Sequence, residues 1–149
     1  MANFNLDDAL GYLIRQTALR FQVSLRRAFK EKGHDFTSEQ WGVLCRLWEE
    51  EGLTQKEISR KVYRGETKRG WPSISRVLDV LAKKKLIIRK MDTDDRRAFR
   101  IYLTKKGRAI KDDLIPIVEQ DLKRASMNLS AREIKELKRM LNKVFHNLG

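Results

Sequence analysis

Apolar residues recur at steps of three and four along most of the chain. Leu6, Leu10, Leu13, Ile14, Ala18, Phe21, Leu25, Ala28 and Phe29 fall on one side of a helix running to about Lys32, and Gly33 supplies the stop. Trp41, Leu44, Cys45 and Trp48 follow at i, i+3, i+4 and i+7, the stripe of a second helix. Helix starts near 37, 54 and 130 repeat one signature: Phe36-Thr37-Ser38-Glu39-Gln40-Trp41, Leu53-Thr54-Gln55-Lys56-Glu57-Ile58 and Leu129-Ser130-Ala131-Arg132-Glu133-Ile134. Each has a hydroxyl N-cap, a Glu or Gln at N3 to close a capping box, and apolar residues at N′ and N4 for a hydrophobic staple. Ile74, Val77, Leu78 and Leu81 predict a short fourth helix, with Pro72 acceptable in its first turn.

The period then changes. Leu86 to Lys90 is a β-prone run, Asp92-Thr93-Asp94-Asp95 is a turn cluster, and Phe99, Ile101 and Leu103 alternate with Ala98, Arg100 and Tyr102. This predicts a two-stranded antiparallel hairpin. Thr104 can cap the next helix, which carries Ile110, Leu114, Ile117, Leu122 and Ala125; Pro116 is expected to kink it or weaken one turn. Ile134, Leu137, Leu141, Val144, Phe145 and Leu148 mark the last helix. The order α-α-α-α-β-β-α-α is a mainly α fold with a small β-hairpin, expected as one domain over 1–149. Helices at about 54–62 and 71–84, followed at once by a hairpin, form a winged helix-turn-helix within about 37–104.

Charge sharpens this picture. Residues 54–108 hold 18 Lys and Arg against 6 Asp and Glu, net +12, whereas 1–53 carry net −1 and 109–149 net +2. Nearly all of the chain's +13 therefore sits on the winged segment, the footprint of a polyanion-binding surface or, more blandly, of a solvated basic face. At about 100° per residue, Arg76, Asp79 and Lys83 point away from the apolar stripe of the fourth helix, with Ser73 and Ser75 on its flanks. Such a helix enters a major groove, where Ser73, Ser75 and Arg76 can meet phosphates and base edges. Arg96 and Arg97 at the hairpin tip suit phosphate and minor groove respectively, with Asp95 orienting them. Between the two short helices, Tyr63 to Gly70 inserts a basic loop. Its Lys68 and Arg69 either add phosphate contacts or decorate a tolerated surface insertion, and Trp71 beyond it either meets a thymine methyl or packs on that loop.

Leu10-Gly11-Tyr12-Leu13-Ile14, Phe36 to Trp41, Leu53 to Glu57, Ser73-Ile74-Ser75-Arg76-Val77-Leu78-Asp79, Lys85-Leu86-Ile87, Asp95-Arg96-Arg97 and Leu103-Thr104-Lys105-Lys106-Gly107 resemble the MarR family of bacterial regulators over nearly the whole chain. The loop at 63–70 is longer than the family's usual turn by about five residues. The resemblance implies a homodimeric, ligand-responsive transcription regulator, usually a repressor. Its subunits would pair through helices at about 5–32 and 105–148 and set two winged modules on a pseudo-palindromic operator in double-stranded DNA. It also implies a small aromatic or phenolic effector held where the helical arm meets the winged lobe. Arg15, at the edge of an apolar stripe, would pair with an effector carboxylate or make a surface or intersubunit ion pair.

Other chemistry is sparse. Cys45 lies on an apolar stripe, as a packed thiol rather than a redox switch, and peroxide-sensing members of the family carry their cysteine near the position of Gly11-Tyr12. His34, His146 and one cysteine make no zinc site, and Asp92, Asp94 and Asp95 lack the closing Glu of a calcium loop. With no phosphate loop or nucleophile motif, no enzymatic activity, cofactor or metal is expected. No run approaches the roughly 18 apolar residues of a membrane span, the N-terminus lacks signal-peptide order, and a lone cysteine fits the cytoplasm. The rival reading is a winged-helix module docking on RNA or an acidic protein.

Overall fold

The computed structural model describes residues 3–65 and 73–149. A 3₁₀ turn, Leu6–Asp8, precedes helix α1, Leu10–Glu31. The expected helix over 5–32 therefore starts late. Asn5 spends its side chain accepting the Asp7 amide, which holds a local turn in place of the first helical residues. Gly33, at φ 83°, ends α1 as expected. Helix α2 (Ser38–Glu49) and helix α3 (Gln55–Tyr63) both open with complete capping boxes, Thr37 with Gln40 and Thr54 with Glu57. Helix α4 is Ile74–Lys83.

A strand that sequence periodicity does not reveal, β1 (Leu53–Thr54), lies just before α3. It pairs antiparallel with β3 (Phe99–Leu103), which pairs on its other side with β2 (Ile87–Met91), giving the sheet order β1-β3-β2. Two residues are too few to alternate, and the same Thr54 caps α3, so the strand exists only because Ile101 and Arg100 lie opposite it. The hairpin itself forms as expected, with Met91 opposite Phe99 and Ile87 opposite Leu103.

Beyond the sheet the expected single helix divides into α5 (Lys105–Ala109) and α6 (Lys111–Ala125), meeting at Ile110. Helix α6 runs on through Pro116. The missing N–H costs one backbone bond there, and Leu114, fully buried, and Ile117 dock the helix on the core around it. Helix α7, Ala131–Leu148, opens with the third capping box, Ser130 with Glu133.

The core gathers Phe29, Phe36, Val43, Leu44, Leu47, Leu53, Ile58, Ile74, Leu78, Leu81, Ile87, Ile101, Leu103 and Leu114. It sits under α2–α4 and the sheet. By contrast α7 buries none of its residues, and α1 fully buries only Phe29. Among the described residues, no helix is long and apolar enough to cross a membrane.

Candidate nucleic-acid interface

Helix α4 is held from behind. Ile74, Val77, Leu78 and Leu81 are buried, so its orientation is fixed by the core, while Ser73, Ser75, Arg76, Asp79 and Lys83 are exposed. Ser73 occupies the N-cap position, but its hydroxyl makes no capping bond. Asp79 is engaged: its carboxylate accepts from the Arg89 guanidinium of β2 at 2.7 Å. That pair joins the outer flank of α4 to the hairpin.

The hairpin turn is built by aspartates. Asp92 accepts the Asp94 amide at 3.0 Å and Asp95 accepts the Arg97 amide at 2.9 Å, while Asp92 N–H and Ala98 N–H close the turn on Ala98 and Asp95 carbonyls. Arg96 and Arg97 stand exposed at its end. Asp95 fixes the Arg97 backbone, and among the described residues no ion pair joins it to either guanidinium. The carboxylate that grips an arginine is Asp92, whose Oδ2 accepts from Arg100 Nε at 3.1 Å while Arg100 also donates to the Gly52 carbonyl at 2.8 Å. The Asp94 amide, and after it Arg100, hold the Asp92 carboxyl below its ordinary range.

The root of the hairpin is tied just as closely. Glu51 accepts the Leu103 amide at 2.8 Å and pairs with Arg108 at 2.9 Å. Thr104 caps α5 by accepting the Gly107 amide, and Trp48 Nε1 donates to the Gly107 carbonyl at 2.9 Å. Gly107 is there because a Cβ would stand 2.0 Å from the Leu86 carbonyl oxygen. The result is a rigid platform presenting two cation-bearing edges, the first turn of α4 and the hairpin tip.

Residues 36–99, which include α2–α4, β2 and the hairpin turn as far as the first residue of β3, match the MarR family. The winged segment is MarR-like. It is 28% identical over 147 residues to the HTH-type transcriptional regulator SarZ of Staphylococcus aureus (strain MRSA252), covering 92% of this chain and 94% of that one. It is 32% identical over 107 residues to the HTH-type transcriptional regulator TtmR of Methylorubrum extorquens (strain PA1), covering 72% of this chain. The chain spans about half the length of TtmR (51%). Among solved structures it is similar to the transcriptional repressor CouR bound to a 23-mer DNA duplex, with a TM-score of 0.81, 25% identity, and coverage of 96% and 99%. MarR-family transcriptional regulators are non-enzymatic DNA-binding proteins.

Other residues of this chain stand apart from that edge. Lys68, Arg69, Trp71 and Pro72, with most of the inserted loop, lie outside the described residues. Arg15 lies on α1, exposed, in a cleft of about 680 Å³ between α1 and α7, lined also by Leu10, Ile14, Phe145 and Leu148. Arg64, at the end of α3, reaches the same cleft, donating to Asn142 Oδ1 at 3.3 Å with its guanidinium 4.4 Å from the Phe145 ring centre. Cys45 is half-buried on α2, and burial, aided by Glu49, pushes its thiol up to about 11. Sequence reading missed the Asp79–Arg89 and Glu51–Arg108 pairs. Each joins residues of different elements, and neither has a spacing to announce it.

Proposed function

We propose that the chain is a DNA-binding transcription regulator, acting as a homodimer on a pseudo-palindromic operator and probing two grooves with each subunit. The observation that carries this reading is the joint exposure of Ser73, Ser75 and Arg76 on α4 and of Arg96 and Arg97 on the hairpin tip, on elements locked together by Asp79–Arg89. Arg76 addresses base edges in the major groove, Arg97 the minor groove, and Arg96 phosphate. Lys68 and Arg69, which precede α4 in the sequence, add phosphate contacts. The likeness to CouR, which was solved on a DNA duplex, supports the mode of docking.

Dimerisation is supported by unsatisfied apolar surface at both ends of the chain. Leu10, Leu13, Leu19, Phe21 and Val23 of α1, and Leu137, Leu141, Phe145 and Leu148 of α7, are exposed in the single chain. A symmetric partner covers such surface at least cost. Repression follows if the operator overlaps a promoter. The cleft holding Arg15 is of ligand size and mostly apolar, suited to a small aromatic acid whose carboxylate meets a guanidinium. An effector of this kind works only by binding one wing spacing better than another.

The test is retention of duplexes from a random-sequence pool, followed by competition with structured RNA. Recovery of a palindromic consensus, bound by a species of twice 17.6 kDa in sedimentation equilibrium, is expected. Equal competition by RNA, or a monomer at micromolar concentration, overturns the reading. Arg15→Ala then separates the effector: release of DNA by salicylate-like acids that persists undiminished removes Arg15 from that role.

A further inference from the structure

The hairpin carries an apolar face that outruns the core it covers. On the sheet's inner side Ile87 faces Leu103 and Arg89 faces Ile101; the next pair outward is Met91 with Phe99. Ile87, Ile101 and Leu103 are buried, as a core face requires, yet Met91 is 56% and Phe99 48% exposed. Alternation would tolerate polar residues at these outer positions at no cost to the core. Two large apolar side chains instead stand side by side in solvent.

Their direction is set by the residue one step inward. Arg89 shares their face, and its guanidinium reaches Asp79 on the exposed flank of α4, one turn beyond Arg76. Met91 and Phe99 therefore lie on the recognition-helix side of the hairpin, closer to its tip, with Arg89 on one side and Arg96 and Arg97 on the other. Arg89 is paired with Asp79, but Arg96 and Arg97 stand exposed on a segment, 54–108, of net +12, and a surface of that charge attracts a polyanion and repels cationic partners. Of the polyanions, duplex DNA also offers apolar area between its phosphates, in the C–H surface of its deoxyriboses.

We propose that Met91 and Phe99 form an apolar pad that packs against the deoxyriboses at the flank of the operator, between the groove read by α4 and the one entered by the hairpin tip. The inference rests on the DNA-binding reading above and assigns a contact that carries no charge. The pad places the wing by excluding water from the sugar surface, while the arginines around it supply the attraction. Its signature is affinity that does not depend on counterion release.

The experiment uses full-length protein and a duplex selected by the wild type from a random-sequence pool. Binding is measured over a range of salt concentrations, and hydroxyl-radical cleavage, which attacks deoxyribose C–H bonds, maps the covered sugars. Met91→Ser/Phe99→Ser is expected to bind about tenfold more weakly with an unchanged salt slope, losing protection at the flanks and keeping it at the centre. Arg96→Ala, which removes a phosphate contact, lowers the slope by about one. Phe99→Leu, which keeps an apolar side chain and spares the hairpin, is expected to retain flank protection. Wild-type affinity in the double variant, a loss that comes with a shallower slope, or loss of flank protection in Phe99→Leu equal to that in the double variant overturns the pad while leaving the DNA reading intact. Failure of the wild type to retain any duplex defeats that reading itself.

Discussion

Replacing Gly107 by alanine puts a methyl carbon 2.0 Å from the Leu86 carbonyl oxygen, 3.0 Å from its carbon and 3.2 Å from Leu103 Cδ2. A carbon stays about 3.3 Å from a carbonyl oxygen even in close C–H···O contacts, so α5 and the start of β2 must separate by roughly 1 Å. That carbonyl accepts the Thr104 amide at 3.0 Å, and the Gly107 carbonyl accepts from Trp48 at 2.9 Å. Loss of both bonds costs about 1 kcal/mol each, and overpacking adds about 1–3 kcal/mol. The sum, roughly 3–5 kcal/mol, is a large share of a total stability of about 5–15 kcal/mol. At about 2–4 °C per kcal/mol for a chain of this size, Tm should fall by roughly 10 °C at fixed protein concentration. The sign is informative, because glycine to alanine inside an ordinary helix stabilises by about 1 kcal/mol. Thermal unfolding followed by circular dichroism, with Trp fluorescence as a second probe, measures it. A Tm equal to or above wild type would refute the close approach of α5 to Leu86.

Three further outcomes are expected. Because burial holds the Cys45 thiol near 11, alkylation by iodoacetamide at pH 8 should be far slower than for a free thiol and accelerate only on unfolding; fast labelling of the native protein contradicts this. The Asp92 carboxyl is depressed in the folded state, so its contribution is fully present above its unfolded value of about 3.9 and is lost as pH falls through the folded value. The Tm difference between wild type and Asp92→Asn should accordingly shrink from neutral pH toward pH 3, and a difference that stays constant with pH excludes this linkage. Two segments of net +12 in a dimer should give a log–log salt slope for DNA binding near −5 to −9, for roughly 6–10 phosphates neutralised. A slope shallower than about −2 would point to a protein partner for the basic face.

The sequence by itself determined what is local. Capping boxes at Thr37, Thr54 and Ser130 form as read, because the groups they satisfy lie within one helical turn. The inward stripe of α4 and the inward turn of Ile101 and Leu103 on β3 follow from helical and strand periods, which are properties of the backbone alone. The concentration of charge on residues 54–108 was equally legible. Only the tertiary structure decided which groups meet across the chain. Strand β1 exists because Ile101 and Arg100 come to lie beside Leu53 and Thr54, and Pro116 is absorbed because Leu114 and Ile117 dock α6 on the core. Asp95 looked like the partner of its neighbouring arginines, but the carboxylate that holds a guanidinium is Asp92, through Arg100 on the returning strand. Asp79 looked like one more solvated position on α4 until the fold set Arg89 against it. Periodicity encodes which face of an element turns inward; it carries no information about which distant side chain arrives at that face, since pairing across elements depends on packing angles fixed by the whole core.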